Sequence, residues 1–514
     1  MNGAESLVGT LIAGGVKACF TNPGTSEMHL VAALDKQKEI RCILGLFEGV
    51  VTAAADGYAR MTGLPACTLL HLGPGLANGV ANLHNASRAH VPIVNIVGQH
   101  ASFHLAYETP LRSDIEAFAR PYSRWLRSCC AASELGRLTA EAIAASKTPP
   151  GQIATLIVPA DKAWDSGGVI GTVPTTPSAC LPSTDVIEGA ADMLRSGLRT
   201  ALLLSGSALY GKGLMAAGRI AAATNAKLLV PYPFTRLERG AGRPVVDRVP
   251  YVPEQATELL KEFRQLMLVG AEPPLAYFAS PRRKSELTST ECEIYRLVGL
   301  EEDCAGALEA LGASMSLHRP PASLEPAVCH AEPSGEITLS GLAGAVAARL
   351  PENAIVVDES MTSGRGILSA ARGAAPHDWL ANTGGSIGIA LPLAVGAAVA
   401  CPSRRVLCLS ADGSSMYTSQ ALWTMAREGL KITTVIFANR AYAVLKREFL
   451  NLGIGDPGTQ ASNLFNIGNP DLDWVFLAKS MGVPAARVTS LDAFLSALRE
   501  GFESAGPMLI EVPL

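Results

Sequence analysis

The sequence predicts an α/β protein of three domains, each a mostly parallel sheet flanked by helices. Short runs rich in Val, Ile, Leu and Thr alternate with longer helical patterns along the chain, the signature of strand–helix–strand crossovers. Two stretches rich in Gly, Pro, Ser and Thr break that alternation and read as linkers: "WDSGGVIGTVPTTPSACLPSTD" from Trp164 and "SLHRPPASLEPAVCHAEPSGE" from Ser316. A chain of 514 residues is several times the usual domain size. Domains are therefore expected at 1–165, 183–320 and 335–514.

The elements follow in order. In the first segment "KACFTNPG" gives a strand and turn, "RCILGLFE" a strand, "GVVTAAADGYARMTG" a helix, "ACTLLHLGPG" a strand and a Gly-rich turn, and "VPIVNIVGQ" another strand. The middle segment supplies "TALLLSG", "AKLLVPYP" and "QLMLVGAE" as strands, and the last supplies "AIVVDES", "RVLCLSADG" and "KITTVIFAN". The uncharged run "SIGIALPLAVGAAVACPS" from Ser386 is interrupted by Pro392. It falls short of the roughly 20 residues a spanning helix needs, so it reads as a buried helix.

Composition excludes several functions. With 42 basic against 46 acidic residues the net charge is -4, and no block of like charges stands out. Nucleic acid and membrane are not expected partners. The 11 cysteines are scattered without a CxxC, which suits a reducing cytoplasm better than a disulfide framework or a zinc site. Nothing at "MNGAESLVGT" resembles a signal peptide, so a cytoplasmic location is expected. His100 and His104 lack the Glu of an HExxH motif and read as an ordinary pair.

Two strand-like runs end on small polar residues, Asp412 and Asn439. Ligands of an open parallel sheet sit beyond the carboxyl ends of its strands. A carboxylate and an amide oxygen are hard ligands for Mg²⁺ or Ca²⁺, and Gly413 with Ser414 could bring backbone N–H groups to a diphosphate. Turn and N-cap roles explain the same residues on spacing alone. Glu48 opens a helix with almost no other charge before Asp56. It reads either as a cap-region charge or, given its apolar flanks, as a buried proton-handling carboxylate. His71 stands at a strand end before glycines that do not fit GxGxxG, and a structural histidine is the plain alternative.

Together "TNPGTSE", "FEGVVTAAADGYAR", "HLGPGLANGVANLHNA", "TGGSIGIALPLAVGAA" and "ADGSSMYTSQALWT…FANRAYAVL" resemble the thiamine-diphosphate-dependent 2-oxo-acid decarboxylase and acetolactate synthase superfamily over nearly the whole chain, most closely benzoylformate decarboxylase. The resemblance implies the thiamine-diphosphate-binding fold in the first (pyrimidine-binding) and third (diphosphate- and Mg²⁺-binding) domains, with thiamine diphosphate and Mg²⁺ as cofactors. FAD is not expected. It implies Asp412, Asn439 and the Ala441 carbonyl as metal ligands, in an "ADG" where the family usually has "GDG". Gly413, Ser414 and Tyr442 fall in the same cofactor-binding stretch. Glu48 matches the glutamate on the aminopyrimidine ring, Ile387 the aliphatic residue under the bent cofactor, and Gly385 a carbonyl facing the amino group. It also implies a homodimer or tetramer whose sites combine Glu48 of one chain with Asp412 of another.

Thr25 and His71 match polar substrate-pocket positions of benzoylformate decarboxylase, Thr25 replacing a serine. Tyr277 falls near a catalytic histidine of that enzyme, and Glu448 replaces an aromatic pocket residue. The implied reaction is non-oxidative decarboxylation of a 2-oxo acid through an enamine, giving an aldehyde. The alternative is an acetolactate-synthase-like carboligase or acyloin lyase that joins the enamine to a second carbonyl compound.

Overall fold

A computed structural model describes residues 1–281, 283–317 and 324–514. The second stretch read as a linker therefore lies partly outside the described residues, and so does the end of the middle segment.

The first sheet is built from β1 (Ala18–Asn22), β2 (Arg41–Leu44), β3 (Ala66–Leu70), β4 (Ile93–Gln99), β5 (Ser123–Ser128) and β6 (Ile153–Pro159). Its order is β2-β1-β3-β4-β6-β5, and every pairing is parallel. In the middle segment β7 (Thr200–Leu204), β8 (Lys227–Val230), β10 (Asp247–Arg248), β11 (Gln265–Val269) and β12 (Glu293–Val298) form a parallel sheet in the order β10-β8-β7-β11-β12. The third sheet contains β13 (Ala354–Glu359), β14 (His377–Ala381), β15 (Val406–Ala411), β16 (Ile432–Ala438), β17 (Ala485–Arg487) and β18 (Met508–Pro513). It runs β17-β18-β16-β15-β13-β14-β9. The last member, β9 (Arg236–Arg239), comes from the middle segment and pairs antiparallel with β14.

The strands expected from apolar runs all form. β5, with the sequence SRWLRS, and β9, with RLER, carry too much charge to be read that way. They lie at sheet edges, where only part of each strand is buried. The glycines after His71 do not make a turn as expected. They open the helix Leu72–Ala89. Pro74 is the third residue of that helix, and the first four N–H groups of a helix have no partner inside it, so proline costs little there.

The first and third segments meet along the helices Glu48–Thr62 and Ala390–Ala400, the second being the predicted buried helix. Their backbones touch. A Cβ on Gly396 would stand 1.9 Å from the Ala54 carbonyl oxygen, and one on Gly57 2.2 Å from that of Leu393. Gly396→Val should therefore destabilise the protein by about 3 kcal/mol or more by forcing the helices apart, read as a lower urea midpoint.

Arg60 strengthens the same junction. Fully buried with Asp56, it makes two 2.7 Å bonds to that carboxylate and donates to the Ala381 carbonyl at 2.6 Å and Thr383 Oγ1 at 3.0 Å. A buried ion pair of this kind is tolerated because every donor has an acceptor. No helix among the described residues is long and apolar enough to cross a membrane.

Candidate active site

Two groups of side chains stand at the carboxyl edges of the two larger sheets, where the topology of parallel sheets places ligands. In the first, Glu48 starts its helix just after β2, Asn22 ends β1 and His71 follows β3, three adjacent strands. Glu48 is buried and accepts from Asn22 Nδ2 at 3.2 Å and Asn78 Nδ2 at 2.9 Å. Both partners are amides, so no cation neutralises it among the described residues. Gly75 separates Glu48 from His71: a Cβ there would lie 3.3 Å from both Glu48 Oε1 and His71 Cβ.

His71 has a partner that sequence reasoning missed. Its Nδ1 is 2.7 Å from Oε2 of Glu27, a carboxylate with no exposure, and 3.2 Å from Ser26 Oγ. Glu27 is fixed in turn by the Gly24 N–H at 2.8 Å and Ser26 Oγ at 2.7 Å. Only glycine fits beneath it, since a Cβ on Gly98 would stand 1.7 Å from its Oε1. With Nδ1 held by the carboxylate, Nε2 is the ring atom left without a partner among the described residues. Thr25 is exposed and, among the described residues, makes no side-chain hydrogen bond. The neighbouring Ser26, not Thr25, meets the imidazole.

The second group lies on the third sheet. Asp412 and Asn439 follow β15 and β16, which are adjacent and parallel, as the spacing suggested. Asp412 is buried, accepting from its own neighbour Gly413 N–H at 2.8 Å and from Arg440 N–H at 2.7 Å. Arg440 has φ +54°, and this left-handed turn aims its N–H at the carboxylate. Burial pushes the Asp412 carboxyl above its ordinary range, against the pull of those N–H groups.

Asn439 Oδ1 accepts from the Ala441 N–H at 3.1 Å. The bonds across this turn run from Ile467 N–H to the Arg440 carbonyl and from Tyr442 N–H to the Phe465 carbonyl, and neither uses the Ala441 carbonyl. Gly413 packs under Tyr442, where a Cβ would come within 2.6 Å of the ring, and Ser414 is buried beside it.

A further buried acid, Glu359, ends β13 next to β15 and was also missed. It accepts from Asn382 Nδ2 at 3.0 Å, Gly388 N–H at 3.1 Å and Ala390 N–H at 3.2 Å, and so fixes the loop carrying Gly385 and Ile387. Gly385 is exposed with φ +81°, and Ile387 is half-buried. Tyr277 reaches this loop from the middle segment, its hydroxyl resting against Gly385 where a Cβ would stand 2.0 Å away.

Desolvation pushes the Glu359 carboxyl up to about 7. The native protein then holds a proton that the unfolded chain has already released above about pH 4.5, so the stability contributed by this group falls as pH rises from there to 7. The stability of wild type relative to Glu359→Gln should drop by about 3 kcal/mol between pH 4.5 and 8, measured by urea unfolding of the apoprotein.

No hydrogen bond joins the Glu48 group to the Asp412 group among the described residues. The chemistry of each still fits one cofactor. Asp412, Asn439 and the unused Ala441 carbonyl are hard oxygen donors suited to Mg²⁺ on a phosphate. The family models agree: residues 1–115 match the thiamine pyrophosphate enzyme N-terminal TPP binding domain, and residues 366–512 match the C-terminal TPP binding domain. The chain belongs to the thiamine pyrophosphate enzymes.

Its relatives span both reactions of the family. Over 100% of this chain and 99% of its own length, a Mycobacterium tuberculosis protein named "Putative acetolactate synthase large subunit IlvX" is 48% identical. Benzoylformate decarboxylase of Pseudomonas aeruginosa is 27% identical over 97% of this chain and 96% of that protein. Among solved structures, the Rhodococcus jostii RHA1 thiamine diphosphate-dependent 4-hydroxybenzoylformate decarboxylase superposes with a TM-score of 0.85 at 23% identity, covering 100% of this chain and 99% of that one. That similarity shows the shared fold. Family membership brings thiamine diphosphate and Mg²⁺ as the cofactors.

Proposed function

We propose that this enzyme decarboxylates a 2-oxo acid without oxidation and releases an aldehyde. The cofactor supplies the electron sink that allows the carboxylate carbon to leave as CO₂. Asp412, Asn439 and the Ala441 carbonyl hold Mg²⁺, with Gly413, Ser414 and Tyr442 around the diphosphate. Glu48 holds the proton at the aminopyrimidine nitrogen, its carboxylate aimed by Asn22 and Asn78. Gly385 would offer a carbonyl to the same ring, and Ile387 would pack against the cofactor. Thr25 and Tyr277 border the substrate.

The His71–Glu27 pair carries the reading towards an aldehyde. A buried carboxylate 2.7 Å from Nδ1 orients the imidazole, so Nε2 can deliver the proton that ends the reaction as an aldehyde rather than as a new carbon–carbon bond. Glu27→Gln keeps the shape and loses the charge. It should lower kcat about tenfold or more with little change in KM, in steady-state assays. The 48% identity with a protein named for acetolactate synthase favours a second reading, in which a second carbonyl compound takes the place of that proton.

We propose a homo-oligomer in either case. The helices Ala443–Asn451 and Thr459–Phe465 beside the Asp412 group bury no residue within one chain, and Leu445, Ile454 and Leu464 stand exposed. A second copy covering them would bury this apolar surface beside Asp412. The test is CO₂ release with Mg²⁺ and thiamine diphosphate across aliphatic, branched, aromatic and anionic 2-oxo acids, followed by product analysis. An aldehyde supports the first reading, and an acyloin or acetohydroxy acid supports the second. No release from any acid removes both.

A further inference from the structure

Beside the Gly385 loop the middle and third segments build a wall of tyrosines and arginines that the residues above do not account for. Tyr277, whose hydroxyl rests on Gly385, belongs to an aromatic group with Tyr232 and Tyr251. Ring centroids are 5.3 Å apart for Tyr232–Tyr251, 5.7 Å for Tyr251–Tyr277 and 6.2 Å for Tyr232–Tyr277. Arg248 Cζ lies 5.4 Å from the Tyr232 centroid and Arg365 Cζ 6.0 Å from that of Tyr251. Arg447, on the helix that follows the Asp412 group, acts electrostatically on both Arg365 and Tyr251.

None of these three arginines has a carboxylate within ion-pair distance among the described residues, although most arginines of the chain do. Arg447 Nε and Nη2 are buried without any hydrogen-bond partner among those residues. Two acids stand nearby. Glu448 acts electrostatically on Tyr251 and Asp358 on Tyr232, and Asp358 accepts from Ser360 Oγ at 2.5 Å. Three guanidinium groups against these two carboxylates, neither of them ion-paired among the described residues, leave the wall net positive. Like-charged guanidinium groups held together, with donors buried and unused, are costly unless an anion completes them. Arginine's planar fork matches carboxylate and phosphate oxygens.

We infer that the substrate carries a second anionic group, remote from its 2-oxo carboxylate, which Arg365 and Arg447 bind with Arg248 behind them. The Tyr277–Gly385 contact makes this wall continuous with the cofactor loop, so one molecule can reach both. This inference rests on the 2-oxo-acid reading and narrows it to acids with an anionic far end.

The test compares matched pairs on the holoenzyme: 2-oxopentanoate against 2-oxoglutarate for a carboxylate end, and an ω-phosphono 2-oxo acid of the same length for a phosphate-like end. Wild type should prefer one of the anionic acids by about 100-fold in kcat/KM, and which one it prefers tells the source of the charge. Arg447→Gln and Arg365→Gln should each reduce that preference by about tenfold, chiefly through KM, because the bound group is far from the reacting atoms. Glu448→Gln, removing one opposing charge, should increase it.

Equal use of charged and uncharged acids by wild type would overturn the inference, and so would variants that lower both members of a pair alike. If no 2-oxo acid reacts, the functional reading fails by itself. Calorimetric titration of 2-oxoglutarate and the phosphono acid into the holoprotein then decides the anion site. Binding weakened by Arg447→Gln upholds the site, and no binding rejects it.

Discussion

Replacing Glu48 with Gln should reduce turnover by about 100- to 10,000-fold, the range typical of removing a positioned acid or base, while thiamine diphosphate still binds. Gln occupies the same volume and keeps one oxygen to accept from Asn22 or Asn78, whose Nδ2 atoms lie 3.2 Å and 2.9 Å from the carboxylate. It cannot take up and release a proton as the proposed role of Glu48 at the aminopyrimidine nitrogen requires. The residue sits at a helix start, and removing an exposed charge there would cost only a few tenths of a kcal/mol to about 1 kcal/mol of stability. A cap-region role therefore predicts a small loss of stability with turnover intact. Cofactor titration by calorimetry alongside CO₂ release separates the two: retained binding with lost turnover supports proton handling, and nearly normal turnover rejects it.

Asp412→Ala should fail in the opposite way. Its loss removes the hard anionic ligand proposed for Mg²⁺, where disturbing even an outer partner of a metal ligand typically costs 10- to 100-fold in affinity. Affinity for Mg²⁺ and thiamine diphosphate should drop by more than about 100-fold. The apoprotein should tolerate the change. Burial already disfavours the ionised carboxylate, as its raised pKa shows, and relief of that penalty offsets the Arg440 N–H left without its acceptor. In thermal melts, cofactor at about 100 times its dissociation constant should stabilise wild type by about 2.7 kcal/mol and leave the variant nearly unshifted. A variant that melts early without cofactor but responds to it normally would show that Asp412 serves only the turn.

Much of this site was legible because its residues interrupt a pattern. Asp412 and Asn439 end apolar runs, and Glu48 begins a helix poor in charge. Each therefore stood out against its neighbours. Glu359 ends "AIVVDE" in the same manner and could have been found by the same rule. Glu27 could not. It lies in a polar turn, "TNPGTSE", where an acidic residue is ordinary, and only its burial under His71, with Gly98 making room, gives it a role. The arginine–tyrosine wall was hidden for a related reason, because Arg248, Arg365 and Arg447 lie in separate stretches and each looks like a solvated charge.

The sequence by itself determined the three-sheet α/β architecture, the strands that form the sheet centres, the buried helix Ala390–Ala400 and the thiamine diphosphate chemistry. The architecture follows from apolar periodicity, and the cofactor from the resemblance of the quoted motifs to a known family. Tertiary structure alone decided that β9 leaves the middle segment to close the third sheet, that Glu27 stands behind His71, and that Tyr277 touches Gly385. Edge strands are paired by what lies beside them, and a buried charge is defined by partners distant along the chain. Chain order records neither, since both arise only when the sheets and helices pack.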